Sequence, residues 1–269
     1  MSNHDLSDAE RADFQRDGYV LRRTVFSPAE LAALNRIVND DPVIQKATYG
    51  RKDAGGALTE LALWRDLGDD MFSDVSRSRR MAGPVADLLG GEIAFFHAKL
   101  TLKRPKVGGA WDWHQDYGYW YRNGFLFPHM ASVFVALDPS TRENGCLQVL
   151  RGSHHLGRIE HGVTVEQVGA DMTRVEQAMK VCPLVHVEMN AGDTLIFHGN
   201  LLHASGQNTS DATRNVLLCC YNRADNAPVL GHATATHTTF AMLPDDLLMR
   251  HADAPISREK AFSDGVPAA

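Results

Sequence analysis

Hydrophobic positions near the start of the chain recur with the spacing of amphipathic helices. Ser7-Asp8-Ala9-Glu10 has the pattern of a capping box, and it predicts a helix over residues 9–16 that ends at Gly18. A short strand is predicted at residues 19–21. The Ser-Pro-Ala-Glu sequence of residues 27–30 predicts a second helix, because serine is a preferred N-cap and proline fits the first helical position.

The pattern changes between these helices and residue 92. Residues 45–60 combine several glycines with mixed charge, which indicates a mobile loop. Residues 78–89 then predict another helix, which the pair Gly90-Gly91 closes.

From residue 92 onward, hydrophobic residues occur in short runs that are rich in β-branched and aromatic side chains and separated by turn residues. Strands are predicted at residues 93–102, 131–137, 147–150, 184–188, 194–197 and 216–221. Residues 163–180 predict an inserted helix or loop, and the pattern after Pro228 is weak. We therefore expect a mainly β protein with flanking α-helices, in which N-terminal helices pack on a jelly-roll barrel.

The length of 269 residues is enough for one well-filled core, and no segment has the composition of a linker. We expect a single domain over residues 1–269. Its expected parts are an N-terminal helical part (1–91), a jelly-roll core (92–222) and a C-terminal extension (223–269).

Composition narrows the classes of function. The net charge is −6 and the basic residues are scattered, so we expect no nucleic-acid partner. No apolar run approaches the length of a membrane span, and the N-terminus lacks the pattern of a secretion signal. The four cysteines show no CxxC spacing, which indicates reduced thiols. The expected protein is cytoplasmic, makes no membrane contact, and acts on a small molecule as a monomer or homodimer.

Two distant segments carry the candidate chemistry. His114-Gln115-Asp116 follows a β-type run, and His203 lies far downstream with Arg214 eleven positions after it. Two imidazoles and one carboxylate are the facial triad that holds Fe(II) in non-haem oxygenases. An arginine beyond the second histidine can hold a dicarboxylate as a planar fork.

Each half of this pattern is weak alone. With 13 histidines in the chain, about one His-x-Asp tripeptide is expected by chance, and a second copy does occur at residues 251–253. His114 and Asp116 could both reach one metal if they lie on a strand, because residues two apart face the same side. His198 is the rival of His203 for the third ligand. Arg214 could also form an internal salt bridge.

Further segments resemble the phytanoyl-CoA dioxygenase family of Fe(II)/2-oxoglutarate oxygenases, which includes ectoine hydroxylase. The resemblance covers roughly residues 10–222, and its most specific part is Glu-Asn-Gly-Cys-Leu at 143–147 with Gly-Ser-His at 152–154. The other matching segments are Asp17-Gly18-Tyr19-Val20, Lys99-Leu100-Thr101, His114-Gln115-Asp116, Gly192-Asp193, His203-Ala204-Ser205, Asn208 and Arg214.

This resemblance implies a double-stranded β-helix, also called a jelly-roll or cupin-like core, and an enzyme that uses Fe(II), 2-oxoglutarate and O₂. It implies that His114, Asp116 and His203 hold the metal and that Arg214 binds the distal carboxylate of 2-oxoglutarate. Ser205, Thr101 and Gln115 are weaker candidates for contacts to the same molecule, because polar side chains at strand ends often only cap the backbone.

For the substrate, the sequence indicates only a chemical class and a set of candidate residues. The candidate substrate residues are Tyr117, Tyr119, Trp120, Tyr121 and Arg158. The aromatic run could hold a cationic amine, or it could be plain packing. We expect hydroxylation of an unactivated C–H bond in a small polar or zwitterionic metabolite, such as an aminophosphonate or an ectoine-like amine. The alternatives are an oxygenase acting on an acyl-CoA or secondary metabolite by hydroxylation, desaturation or epimerisation, and a non-catalytic cupin-like metal-binding or sensing protein.

Overall fold

The computed structural model describes residues 5–163, 165–231, 236–256 and 262. Its α-helices are α1 Asp8–Asp17, α2 Pro28–Asp40, α3 Pro42–Ala47, α4 Met71–Arg77, α5 Arg79–Leu89, α6 Asp116–Arg122 and α7 Met172–Met179. Its strands are β1 Tyr19–Arg22, β2 Tyr49–Lys52, β3 Leu58–Trp64, β4 Ile93–Lys103, β5 Trp111–His114, β6 Met130–Ala136, β7 Leu147–Leu150, β8 His161–Val163, β9 Val168–Ala170, β10 Leu184–Val187, β11 Thr194–His198, β12 His203–Ser205, β13 Arg214–Arg223 and β14 Thr238–Thr239. Two 3₁₀ helices span Ser153–Leu156 and Asp245–His251.

Two antiparallel sheets form the double-stranded β-helix that the sequence predicted. The larger sheet has the order β1-β11-β6-β13-β4-β3-β2, with β14 beside β4. The smaller sheet has the order β10-β7-β12-β5. From β4 to β7, and again from β10 to β13, consecutive strands alternate between the two sheets, as in a jelly roll.

The larger sheet is buried on both faces. On β13, Leu217 and Cys219 belong to the core cluster that packs under the helices, whereas Val216 and Leu218 belong to the cluster between the two sheets. This alternation follows from the two-residue period of a strand. Polar side chains from both sheets, among them Lys103, His114 and Arg214, line a cavity between them.

The predicted helix starts are confirmed. Ser7 and Glu10 make a reciprocal capping box at α1, and Ser27 and Glu30 make another at α2. The amide of Gly18, whose φ is 83°, donates to the Phe14 carbonyl and ends α1. Left-handed backbone at this position favours glycine.

The prediction of a mobile loop at residues 45–60 is wrong. Most of this segment is the end of α3 and a β2–β3 hairpin, and β3 pairs with β4 at the edge of the larger sheet. The Asp53 carboxylate accepts hydrogen bonds from the amides of Gly55 and Ala57, which closes the hairpin turn. The expectation that residues 1–91 form a helical part is therefore incomplete, because this part also contributes β1, β2 and β3 to the larger sheet.

The structure also bears on three smaller expectations. The segment 163–180 contains helix α7, as predicted, preceded by the β8–β9 hairpin.

All four cysteines are unpaired and buried. No helix in the described ranges combines the length and hydrophobicity that a membrane span needs. Parts of the expected C-terminal extension (232–235, 257–261 and 263–269) lie outside the described residues.

Candidate metal centre

Strand pairing brings His114 and His203 together. β5 and β12 are antiparallel neighbours, and His203 lies opposite His114 in their register. The two ring centroids are 4.0 Å apart. Cross-strand neighbours project from the same face of a sheet, so both imidazoles point between the sheets. The pairing of β5 with β12 therefore brings together two histidines that are far apart in the sequence.

Asp116 reaches the same point from a helix. β5 ends at His114, Gln115 is the N-cap, and Asp116 is the first residue of α6. The expectation of two ligands on one strand is therefore wrong in its local geometry. The turn into α6 still places Asp116 Oδ1 3.8 Å from His114 Nε2 and 3.9 Å from His203 Nε2. Among the described residues, these are the one group of three or more His, Cys, Asp or Glu side chains whose ligand atoms could hold a metal ion, and the atoms all lie within 4.8 Å of one another.

Hydrogen bonds fix which imidazole nitrogen faces the centre. His114 Nδ1 lies 2.7 Å from the Asp112 carbonyl oxygen, and His203 Nδ1 lies 2.9 Å from the Leu201 carbonyl oxygen. Since a carbonyl only accepts, each Nδ1 carries the proton and each Nε2 keeps a free lone pair. Burial lowers the pKa of both histidines, which favours the neutral form that binds metal.

Ser132 orients the carboxylate. Its hydroxyl donates to Asp116 Oδ2 at 2.6 Å, which leaves Oδ1 directed at the two imidazoles. Ser132 lies on β6 and is fully buried. The site therefore offers two neutral imidazole nitrogens and one carboxylate oxygen, and hydrogen bonds to surrounding groups hold each of these side chains in place. Fe(II) takes this donor set in a facial triad.

Replacing Ser132 with alanine is expected to weaken metal binding roughly 10- to 100-fold, because Asp116 loses the bond that holds its rotamer. Titration of the apoprotein with Fe(II) under argon, and with Mn(II), measures the change. The matched control is Ser140→Ala, since the buried Ser140 hydroxyl has no hydrogen-bond partner in the described ranges. Equal affinity in both variants would show that Ser132 does not position the carboxylate.

The cavity beside the three donors contains unpartnered polar atoms. Arg214 is 2% exposed, and its Nε has no hydrogen-bond partner within the part of the chain that the structure describes. Burial lowers the pKa of its guanidinium to about 10. The Thr101 hydroxyl, which lines the same cavity, also has no partner among the described residues. A buried cation with a free donor, beside a buried hydroxyl that is also free, fits an anionic ligand.

Lys103 is a cavity residue that the sequence reasoning missed. Its ammonium donates to Ser205 Oγ at 2.8 Å and also to the Gly206 carbonyl. The Ser205 hydroxyl oxygen therefore already accepts a hydrogen bond from Lys103. Burial holds the pKa of Lys103 well below its ordinary value, and the Arg214 charge adds to the effect. The signal that could have found it was the two-residue period of β4, which places residue 103 on the same face as Thr101.

Gln115 lies among backbone groups. Its amide nitrogen donates to the carbonyls of Gly157 and Asn200, and its oxygen accepts from the Ile159 amide. These bonds hold the loops around the turn between the first two ligands. Gln115 is absent from the side chains that line the cavity.

The aromatic run points in several directions, because α6 turns it around a helix. Tyr117 and Trp120 are buried in the core between the sheets, and Tyr119 lies 5.5 Å from the His114 ring, centroid to centroid. Tyr121 is exposed and stacks with Arg158 at 4.5 Å. None of these side chains lines the described cavity, so they form no continuous wall there.

The rival histidines have partners of their own. His198 is on β11, where it packs against Phe14 and accepts a hydrogen bond from the Asn200 amide. His251 of the second His-x-Asp copy contacts Asp74 at 2.8 Å, and Arg250 binds the same carboxylate. Neither histidine belongs to the group of three donors.

Comparison with known proteins now identifies the family. The phytanoyl-CoA dioxygenase (PhyH) family model matches residues 14–216. The chain belongs to the phytanoyl-CoA dioxygenase family. As a member of this family it is an Fe(II)/2-oxoglutarate-dependent dioxygenase, and its cofactors are Fe(II), 2-oxoglutarate and O₂.

Relatives in this family include enzymes named for small substrates. The chain is 27% identical over 231 residues to L-proline trans-4-hydroxylase of Streptomyces griseoviridis, covering 80% of this chain and 86% of the relative. It is 26% identical to the ectoine dioxygenase of Stutzerimonas stutzeri, covering 80% and 76%. The crystal structure of EctD from S. alaskensis with 2-oxoglutarate and 5-hydroxyectoine has a TM-score of 0.72 at 21% identity, covering 90% of this chain and 88% of that one, so the fold is the same.

Proposed function

We propose that His114, Asp116 and His203 hold the ferrous ion of this dioxygenase. The observation that carries the proposal is the convergence of three donor atoms within 4.8 Å, each with its other polar atom already hydrogen-bonded to the protein. Three protein ligands leave positions for a chelating co-substrate and O₂. The carboxylate ligand also argues against a halogenase, since those enzymes leave that position open for halide.

Arg214 is proposed to bind the distal carboxylate of 2-oxoglutarate. Its buried guanidinium has a free Nε and can donate two parallel hydrogen bonds to a carboxylate. Thr101 adds a free hydroxyl donor in the same cavity. We propose a supporting role for Ser205 and Gln115, because their hydrogen bonds fix Lys103 and the ligand-bearing turn.

Iron and 2-oxoglutarate together supply the oxidation that inserts one oxygen atom of O₂ into a C–H bond, with succinate and CO₂ as co-products. The chain's own residues orient the reactants and exclude water. The cavity walls near the donors are apolar, built from Phe134, Leu147, Phe197 and Leu218. A dry wall beside a fixed set of polar groups protects the oxidising step from side reactions.

The substrate is proposed to be a small polar or zwitterionic metabolite, either an amino acid or an aminophosphonate. The support is that relatives are named for L-proline and ectoine, and that the cavity combines apolar walls with cationic groups. Trp111 lines the cavity and is the aromatic residue proposed to border such a substrate, whereas Tyr119 lies against the His114 ring without lining the cavity. We propose that the protein acts in the cytoplasm without nucleic acid, consistent with its net charge of −6.

Small zwitterions are expected to raise succinate formation at least several-fold over the substrate-free rate. The test supplies the Fe(II)-reconstituted protein with 2-oxoglutarate and, separately, L-proline, ectoine, an aminophosphonate or an acyl-CoA. Succinate and O₂ consumption are measured together, and protein without iron is the control. Stimulation by acyl-CoA alone would overturn the proposed substrate class. Metal binding without succinate under every condition would favour a binding protein.

A further inference from the structure

Three polar residues of β4 face the cavity in succession. Lys99, Thr101 and Lys103 all line it, whereas Leu100 and Leu102 pack in the core under the helices. This arrangement follows from the two-residue period of the strand. Lys103 lies opposite Arg214 in the register, and Lys99 lies opposite Leu218. The two lysines are therefore separated by four residues, or roughly 13 Å at about 3.3 Å per residue.

The cations at the Arg214 end of the cavity have assigned partners under the proposed function. The Lys103 ammonium is satisfied by Ser205 and the Gly206 carbonyl. Arg214 is assigned to the distal carboxylate of 2-oxoglutarate, and the other end of that molecule chelates the metal. The dianionic co-substrate therefore leaves no acidic group for a further cation.

Lys99 is different from both. It is half-buried, and no hydrogen bond or ion pair of its ammonium is found within the described ranges. Its Nζ lies 5.6 Å from the centre of the Trp111 ring, a contact of modest strength. A cation that lines a cavity without an anionic partner fits a ligand that brings one. Lys99 lines the same cavity as His114 and His203, so its side chain borders the space beside the proposed metal ligands.

We propose that Lys99 is a specificity-determining residue that binds the acidic group, carboxylate or phosphonate, of the primary substrate. The inference rests on the proposed function and deepens it. Lys99 is at the far end of the β4 row from Arg214 and Lys103, and it lines the cavity together with His114 and His203. A substrate held there by its acid group presents its carbon skeleton to the metal. Trp111 and Lys99 together border this position.

The test compares each acid with an analogue in which an uncharged amide or alcohol replaces the acid group and the amine is kept. Protein loaded with Fe(II) and 2-oxoglutarate under argon is expected to show a visible charge-transfer band, which a ligand beside the metal should perturb. L-proline and L-prolinamide are titrated, together with an aminophosphonate and its amino alcohol, and Kd values are read from the band. The unmodified protein is expected to bind the acids roughly 10- to 100-fold more tightly than the analogues that lack the acid group. Lys99→Met should remove that preference and leave the Kd of 2-oxoglutarate within about two-fold.

Two further variants complete the design. Lys99→Arg keeps the charge and should retain most of the preference for acids. Lys180→Met, at an exposed position at the end of α7, should behave like the unmodified protein. Thermal unfolding of each variant without ligands reports any purely structural role of the contact with Trp111.

Each contrary result has a distinct meaning. Loss of 2-oxoglutarate affinity in Lys99→Met, with the acid preference intact, would assign Lys99 to the co-substrate and overturn the proposal. No acid preference in the unmodified protein, or the same preference in Lys99→Met, would also overturn it. Failure of 2-oxoglutarate to give any charge-transfer band in the unmodified protein would instead overturn the proposed function itself.

Discussion

Replacing His203 with alanine is expected to abolish succinate formation and to remove high-affinity Fe(II) binding. The His203 imidazole supplies one of three donor atoms, and its Nε2 lies 3.9 Å from Asp116 Oδ1 across the proposed metal position. Two remaining ligands cannot define a facial site, so both chelation of the co-substrate and O₂ chemistry are lost. Metal content after dialysis and succinate yield measure the two effects independently.

The matched control is His198→Ala. His198 precedes His203 by five residues, is half-buried, and packs against Phe14 at the end of β11. This variant is expected to lose some stability and to keep its metal. Circular dichroism melts of both variants separate a folding defect from a ligand defect. Iron retention in His203→Ala, with loss in His198→Ala, would assign the third ligand to the rival histidine.

The sequence was most informative where short patterns have one structural outcome. Both serine capping boxes, the glycine that ends α1 and most strands from residue 92 onward follow from local preferences. The β2–β3 hairpin was missed because its glycines and charges resemble a loop. Pairing of β3 with β4 provides the stabilisation that the local sequence lacks.

In the candidate site, too, some features could be predicted from the sequence and others depend on the fold. The two segments that contain His114, Asp116, His203 and Arg214, taken with the family resemblance, predicted their convergence. The structure places the first three together, with Arg214 lining the adjoining cavity. The direction of Asp116 could not be predicted, because the change from β5 to α6 occurs within two residues. That change also explains the aromatic run. A helix distributes successive side chains around its axis, so the tyrosines that follow Asp116 face different surroundings.

Lys103 and Lys99 required the fold before their role could be considered. Lysines in a strand are ordinarily read as solvent-facing residues. Only the placement of β4 between β3 and β13, with its other face covered by helices, turns both side chains into the barrel. The two-residue period was visible in the sequence, but the face that it selects was not.

Arg214→Met is expected to raise the KM for 2-oxoglutarate roughly 10- to 100-fold, because a charge-assisted pair of hydrogen bonds is lost. Metal affinity should be unchanged, since Arg214 is not among the three donors. Arg214→Lys should recover only part of the affinity, because an ammonium lacks the planar fork. The measurements are succinate formation against 2-oxoglutarate concentration and Fe(II) titration of each variant.

Arg214→Met is expected to raise the thermal stability of the ligand-free protein, although it weakens the binding of 2-oxoglutarate. Without 2-oxoglutarate, the unmodified protein buries a guanidinium whose Nε has no partner among the described residues, and burial already lowers its pKa to about 10. Methionine removes that desolvation cost, so the ligand-free Tm should rise by roughly 2–4 °C per kcal/mol recovered. Saturating 2-oxoglutarate should stabilise the metal-loaded unmodified protein, by about 2.7 kcal/mol at a hundred times Kd, and should stabilise Arg214→Met much less. A lower ligand-free Tm in Arg214→Met would mean that the arginine has a structural anion of its own, and the assignment to the co-substrate would fail.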